Sequence, residues 1–229
     1  MEERKLAVDT IAFTRCKAAV DAMVQLRKED PVIAEMANTW LLNRATDEWE
    51  PFGGREVLKE LGIYDPDKVV VNEMKMPEPP ATSGLPSIEE ILRLKGDPAK
   101  GKVVSMRCVM CHRVGDQGPD YGPDLAGWAA NQGRESFIRA VVSPTESIAL
   151  GFEGEIIPLK DGREVHGILI NAGDPLTVRS MGGVSQFIPR TMLDKRTRPL
   201  RRSLMLSADE LGLTAQDVAD LAAFMMTYN

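Results

Sequence analysis

Residues 108–112 read CVMCH, two cysteines two positions apart with a histidine directly behind. Whatever these three side chains hold, the chain has to fold around it. The motif could hold a covalently attached haem, a zinc ion or a redox-active disulfide, or its residues could be core positions meeting by chance. The chain has three cysteines, Cys16, Cys108 and Cys111, and two histidines, His112 and His166. A structural zinc site uses four ligands, and Cys16 and His166 lie far away without paired spacing. A thioredoxin-like CxxC follows a strand in a βαβ unit, whereas the residues before Cys108 read as a helix. In CxxCH each thiol adds to one porphyrin vinyl group, and the histidine is carried beneath the ring to iron. In a chain so poor in cysteine and histidine, chance is the weaker alternative. The motif reads as c-type haem attachment, one haem per chain.

A length of 229 residues leaves room for more than one domain. The net charge of −6 argues against a nucleic-acid partner. No apolar run reaches the length of a membrane span. The N-terminal MEERKLAVDT is charged and lacks the apolar stretch of a signal peptide. Covalent haem attachment normally takes place outside the cytoplasm. The expected location is therefore periplasmic or at an extracytoplasmic membrane surface, with the export signal outside this chain.

The apolar periodicity predicts a helix over residues 3–28, with Cys16 on its buried stripe. Asp30 and Pro31 open a second helix to about 45, and a third, about 54–61, stops at Gly62. The proline-rich stretch 64–86 reads as a linker. Ser87 with Glu90 forms a capping box, Asp97-Pro98 starts the helix that delivers the cysteines, and a further helix is predicted over 134–142. Short strands separated by turn formers follow, suggesting a small antiparallel sheet or barrel. Thr214 with Asp217 then caps a last helix carrying Val218, Leu221, Ala222 and Met225 on one face.

A second iron ligand would decide the chemistry. His/Met ligation favours electron transfer, because the thioether raises the potential and leaves no open position. Among twelve methionines, Met225 and Met226 read as core, Met181 sits by a turn and Met192 near the end of the strands. Met205 stands in a loop before the last helix and is favoured, with His166 in reserve. GPDL, 122–125, follows His112 by ten residues. A carbonyl there could fix the imidazole tautomer. The run 190–202 carries six positive charges and one negative. It reads first as solvated surface, and second as a basic rim that steers an acidic partner.

Taken together, GDPAKGK, CVMCHRVGDQG, GPDLAG, SPTESIALGFEG, LKDGREVHGIL, SLM and DVADLAAFM resemble one c-type cytochrome module. It is the haem-binding domain found at the C-terminal end of large multidomain membrane-bound dehydrogenases, and the resemblance runs from about residue 88 to the end. It implies a class I cytochrome c fold, with His112 as proximal ligand, Met205 as distal ligand and the Pro123 carbonyl orienting His112. It also implies that Gly101 admits the last helix near Phe224, and that a small Sm-like or SH3-like barrel is inserted over 152–199. The N-terminal helices resemble the tail of a HEAT-like array, which suggests a fragment of a longer protein.

The expected fold class is thus mainly α with a β insertion. The expected domains are a helical segment over 1–63, a linker over 64–86 and a cytochrome c domain over 87–229. The expected function is electron transfer from a dehydrogenase domain or redox partner, with membrane association through a larger parent protein. Cys108, Cys111, His112, Pro123 and Met205 form the site. The alternatives are a five-coordinate, peroxidase-like haem enzyme and a haem-dependent interaction or sensor module built on the strands.

Overall fold

The structure is a computed structural model that describes residues 2–65, 67–119, 121–125 and 127–227. Positions 1, 66, 120, 126, 228 and 229, which belong to the expected segments and include Ala126 of GPDLAG, lie outside the described residues. The chain divides into two compact units, one of residues 1–72, 169–178 and 186–194, the other of 73–168, 179–185 and 195–229.

In the first unit, α1 (Glu2–Ala12), α2 (Lys17–Leu26), α3 (Pro31–Arg44) and α4 (Gly54–Glu60) enclose a core that includes Met23, Ile33, Leu41, Trp49 and Leu58. The helix expected over 3–28 is two helices. The Thr14 carbonyl, which a continuous helix would use four residues on, instead accepts the Trp49 indole N–H at 2.9 Å. Cys16 becomes the N-cap of α2 and stays half-buried against the core. Asp30 caps α3, its carboxylate accepting from Ile33 N–H at 3.2 Å, with Pro31 at the first helical position.

In the second unit, α5 (Ile88–Arg93), α6 (Pro98–Val104), α7 (Trp128–Val142) and α8 (Ala215–Met225) surround a core of Ile91, Phe137, Ile138, Val218, Leu221 and Met225. The capping boxes Ser87/Glu90 and Thr214/Asp217 both form. α7 begins earlier than its predicted start at 134 and is kinked at Gly133. α6 and α8 cross in close contact because Gly101 offers no side chain. A Cβ there would lie 2.8 Å from the Phe224 Cβ and closer still to the Asp220 carbonyl. Buried Asp220 ties the crossing, accepting from Asp97 N–H at 2.8 Å and from Gln216 Nε2 at 2.7 Å.

The strands are β1 (Glu155–Pro158), β2 (Glu164–Asn171), β3 (Leu176–Ser180), β4 (Val184–Ile188) and β5 (Arg198–Pro199). They form one open antiparallel sheet in the order β4-β3-β2-β1-β5, with Ile157 opposite Val165 and Ile156 opposite Arg198. This corrects the expected fold class. A barrel requires its edge strands to pair, but β4 and β5 lie at opposite edges and β5 has two residues. An open five-stranded sheet is also foreign to a small class I cytochrome c. The chain is α+β, with eight α-helices among the described residues. After a turn at Asp67–Lys68, residues 69–80 form neither helix nor strand, and Met74 pairs in parallel with Val165.

Candidate functional site

α6 runs into a 3₁₀ turn, Ser105–Met110, that carries Cys108. The turn closes because Cys111 N–H and His112 N–H both donate to the Cys108 carbonyl, at 3.0 and 2.8 Å. The GPDL stretch is then latched to both neighbours of His112. Gly122 N–H donates to the Cys111 carbonyl at 2.7 Å and Leu125 N–H to the Arg113 carbonyl at 2.9 Å. Between these two bonds lies Pro123, whose carbonyl is 2.8 Å from His112 Nδ1. A carbonyl only accepts, so Nδ1 carries the proton and Nε2 the lone pair. His112 is buried, and burial lowers its pKa against the opposing pull of the Pro123 carbonyl. The imidazole is therefore neutral at pH 7, with Nε2 available as a metal ligand.

Gly122 makes this arrangement possible. A Cβ there would stand 2.6 Å from His112 Nδ1 and nearer still to Cε1. Sequence reasoning treated Gly122 only as part of a turn. The signal was its position directly before the proline whose carbonyl meets the imidazole.

Cys108 and Cys111 are free, half-buried thiols. Burial, aided by Cys111, pushes the Cys108 thiol up to about 11. Burial also raises Cys111, against a hydrogen bond with the Gly182 backbone. A redox dithiol needs the opposite, a thiolate stabilised near neutral pH.

Both cysteines, His112, Pro123 and Met205 line one cleft of about 970 Å³, its mouth included. The walls are chiefly apolar, with Phe137 and Val141 from α7, Ile148 and Phe152 from the following loop, and Ile168 from β2. The motif SPTESIALGFEG contains these loop residues, but 144–152 has no periodicity that would place them in a cleft wall. Of the methionines weighed as ligands, Met205 alone among the described residues lines this cleft; Met225 is fully buried in α8 and Met181 lines a separate, smaller cavity. His166 is in that smaller cavity too. Its Nδ1 accepts from Met76 N–H at 3.1 Å and its Nε2 faces Glu164 Oε2 at 3.4 Å. The structure does not bring it to the cleft.

The donor set around the cleft is the one a porphyrin attached at Cys108 and Cys111 would require. Two thiols and an oriented imidazole share one apolar chamber, and a thioether stands in its lining. Among the described residues, the wall has no Asp, Glu, Lys or Arg side chain; His112, the two thiols and the Tyr121 hydroxyl are its titratable groups. The basic run is partly engaged elsewhere: Arg198 pairs with Glu164 at 2.6 Å and Arg202 with Glu210 at 2.6 Å.

No protein-family model matches the chain, and no curated protein matches it in sequence. Among the described residues, no helix is long and apolar enough to cross a membrane.

Proposed function

We propose that the chain is an electron-transfer module that binds one haem c through Cys108 and Cys111, with His112 and Met205 as axial ligands. The observation that carries the reading is the His112–Pro123 hydrogen bond in a cleft that also gathers both thiols and Met205. Bound in this way, haem supplies one-electron ferric/ferrous cycling, which the protein tunes by ligation and burial.

The residues divide the work. Cys108 and Cys111 would hold the porphyrin covalently, each thiol forming one thioether link. Pro123 holds the His112 ring in the tautomer that leaves Nε2 basic. Phe137, Val141 and Phe152 give the chamber an apolar wall. Among the described residues the wall has no Asp, Glu, Lys or Arg side chain to pair with His112, which favours a carrier over a peroxidase. The order of the motifs supports a dehydrogenase domain or partner as electron donor, working outside the cytoplasm.

The test is production with haem-ligation machinery in a periplasm, followed by denaturing mass spectrometry and a reduced-minus-oxidised spectrum. The expected result is a mass gain of one haem, low-spin bands, and a methionine-to-iron charge-transfer band that disappears in Met205→Ala. A folded chain without haem, or one with high-spin haem, overturns the reading.

A further inference from the structure

Met205 lies in a segment closed on itself. Arg202 and Glu210 bracket it and meet at 2.6 Å, with side chains 18% and 5% exposed. Such burial separates this pair from the surface ion pairs of the molecule, whose contribution is small. Both carboxylate oxygens of Glu210 are used: Oε1 takes Arg202, and Oε2 takes Ser207 N–H at 2.8 Å. The remaining Arg202 donors reach outward, Nη1 to the Pro77 carbonyl at 2.8 Å and Nε to the Ser203 carbonyl at 3.4 Å. Inside the loop, Ser203 Oγ accepts Met205 N–H at 3.0 Å, and Ser203 N–H donates to Thr145 Oγ1 at 3.2 Å. Ala208 N–H donates to the Val141 carbonyl on α7 at 2.8 Å. Four of these bonds engage the main-chain N–H groups of Ser203, Met205, Ser207 and Ala208, and none touches the thioether.

We infer that the Arg202–Glu210 pair is a positioning clamp for the distal ligand, fixing where Met205 stands in the cleft and resisting its displacement. The inference rests on the His/Met reading above and adds two residues to it. Opening the clamp leaves Cys108, Cys111 and His112 untouched, since none of them is bonded to Arg202 or Glu210. The selective consequence is a thioether that yields more readily to an external ligand.

The experiment measures imidazole binding to the ferric, haem-loaded full chain in wild type, Glu210→Gln and Arg202→Lys. Glu210→Gln keeps the shape and loses the charge; Arg202→Lys keeps the charge and loses the forked geometry. The expected result is covalent haem retained in all three, imidazole affinity raised at least about tenfold in Glu210→Gln, and a smaller rise in Arg202→Lys. Hydrogen exchange at the Met205 and Ser207 amides is expected to quicken in the same order. A core variant, Ile91→Val, controls for general loss of stability and is expected to leave imidazole affinity unchanged.

Unchanged affinity in Glu210→Gln, with the methionine band present, overturns this inference alone. An equal rise in Ile91→Val also overturns it, since general loosening would then suffice. A wild-type chain that carries haem without a methionine band overturns the ligation reading and the clamp with it.

Discussion

Gly122 shows how much depends on a missing side chain. Gly122→Ala would drive a methyl group into the His112 ring, and overpacking of this kind costs about 1–3 kcal/mol. Urea denaturation of the unloaded chain should show that loss, and the loaded chain should show a shifted potential because the imidazole must turn from Pro123. A second residue-scale prediction concerns Cys108 before haem attachment. Its folded pKa is raised to about 11, so the unfolded chain gives up this proton first as pH rises. The Cys108 contribution is constant below the ordinary thiol range and falls as pH climbs towards 11, by up to about 1.4 kcal/mol per unit. Urea midpoints of the unloaded chain between pH 8 and 11 should decline, and the decline should shrink in Cys108→Ser. At this scale the grouping of Cys108, Cys111 and His112 in one cleft was legible because they fall within five consecutive residues. Tyr121 was not: it is buried in the cleft lining with its hydroxyl unpartnered, and a single tyrosine in a Gly-Pro turn carries no pattern.

Among elements, the α6–α8 crossing joins the cysteine-bearing segment to the last helix. Asp220 accepts two hydrogen bonds there, and Asp220→Ala would take the acceptor from the part-buried Asp97 N–H, at about 1–3 kcal/mol. Asp220→Asn keeps an acceptor oxygen and should lose much less. Thermal midpoints of the two variants decide the point; equal losses would mean that the charge, rather than acceptance, matters. Elements with local causes were readable in advance: Asp30, Ser87 with Glu90, and Thr214 with Asp217 cap the helices that their spacing announced. The break between α1 and α2 was not, because it depends on an indole 35 residues away. Sheet closure failed for the same reason. Turn formers specify where strands end, and nothing local in 152–199 says whether the last strand returns to the first.

At the scale of the molecule, every residue lining the cleft belongs to the second unit, while the buried cluster of Met23, Leu41 and Trp49 lies in the first. Haem attachment should therefore increase hydrogen-exchange protection in residues 105–152 and 203–213 and leave α1–α3 unchanged; protection spread evenly over both would count against a self-contained site. The latch around His112 has a further consequence, in time rather than in space. Its hydrogen bond to Pro123 spans 11 residues, whereas Met205 arrives 93 positions after His112 (205 − 112). Short-range contacts close early and long-range ones late. The His112–Pro123 pairing can therefore close while the Met205 loop is still apart, and a haem bound as proposed would meet the Cys108–His112 segment before Met205 arrives.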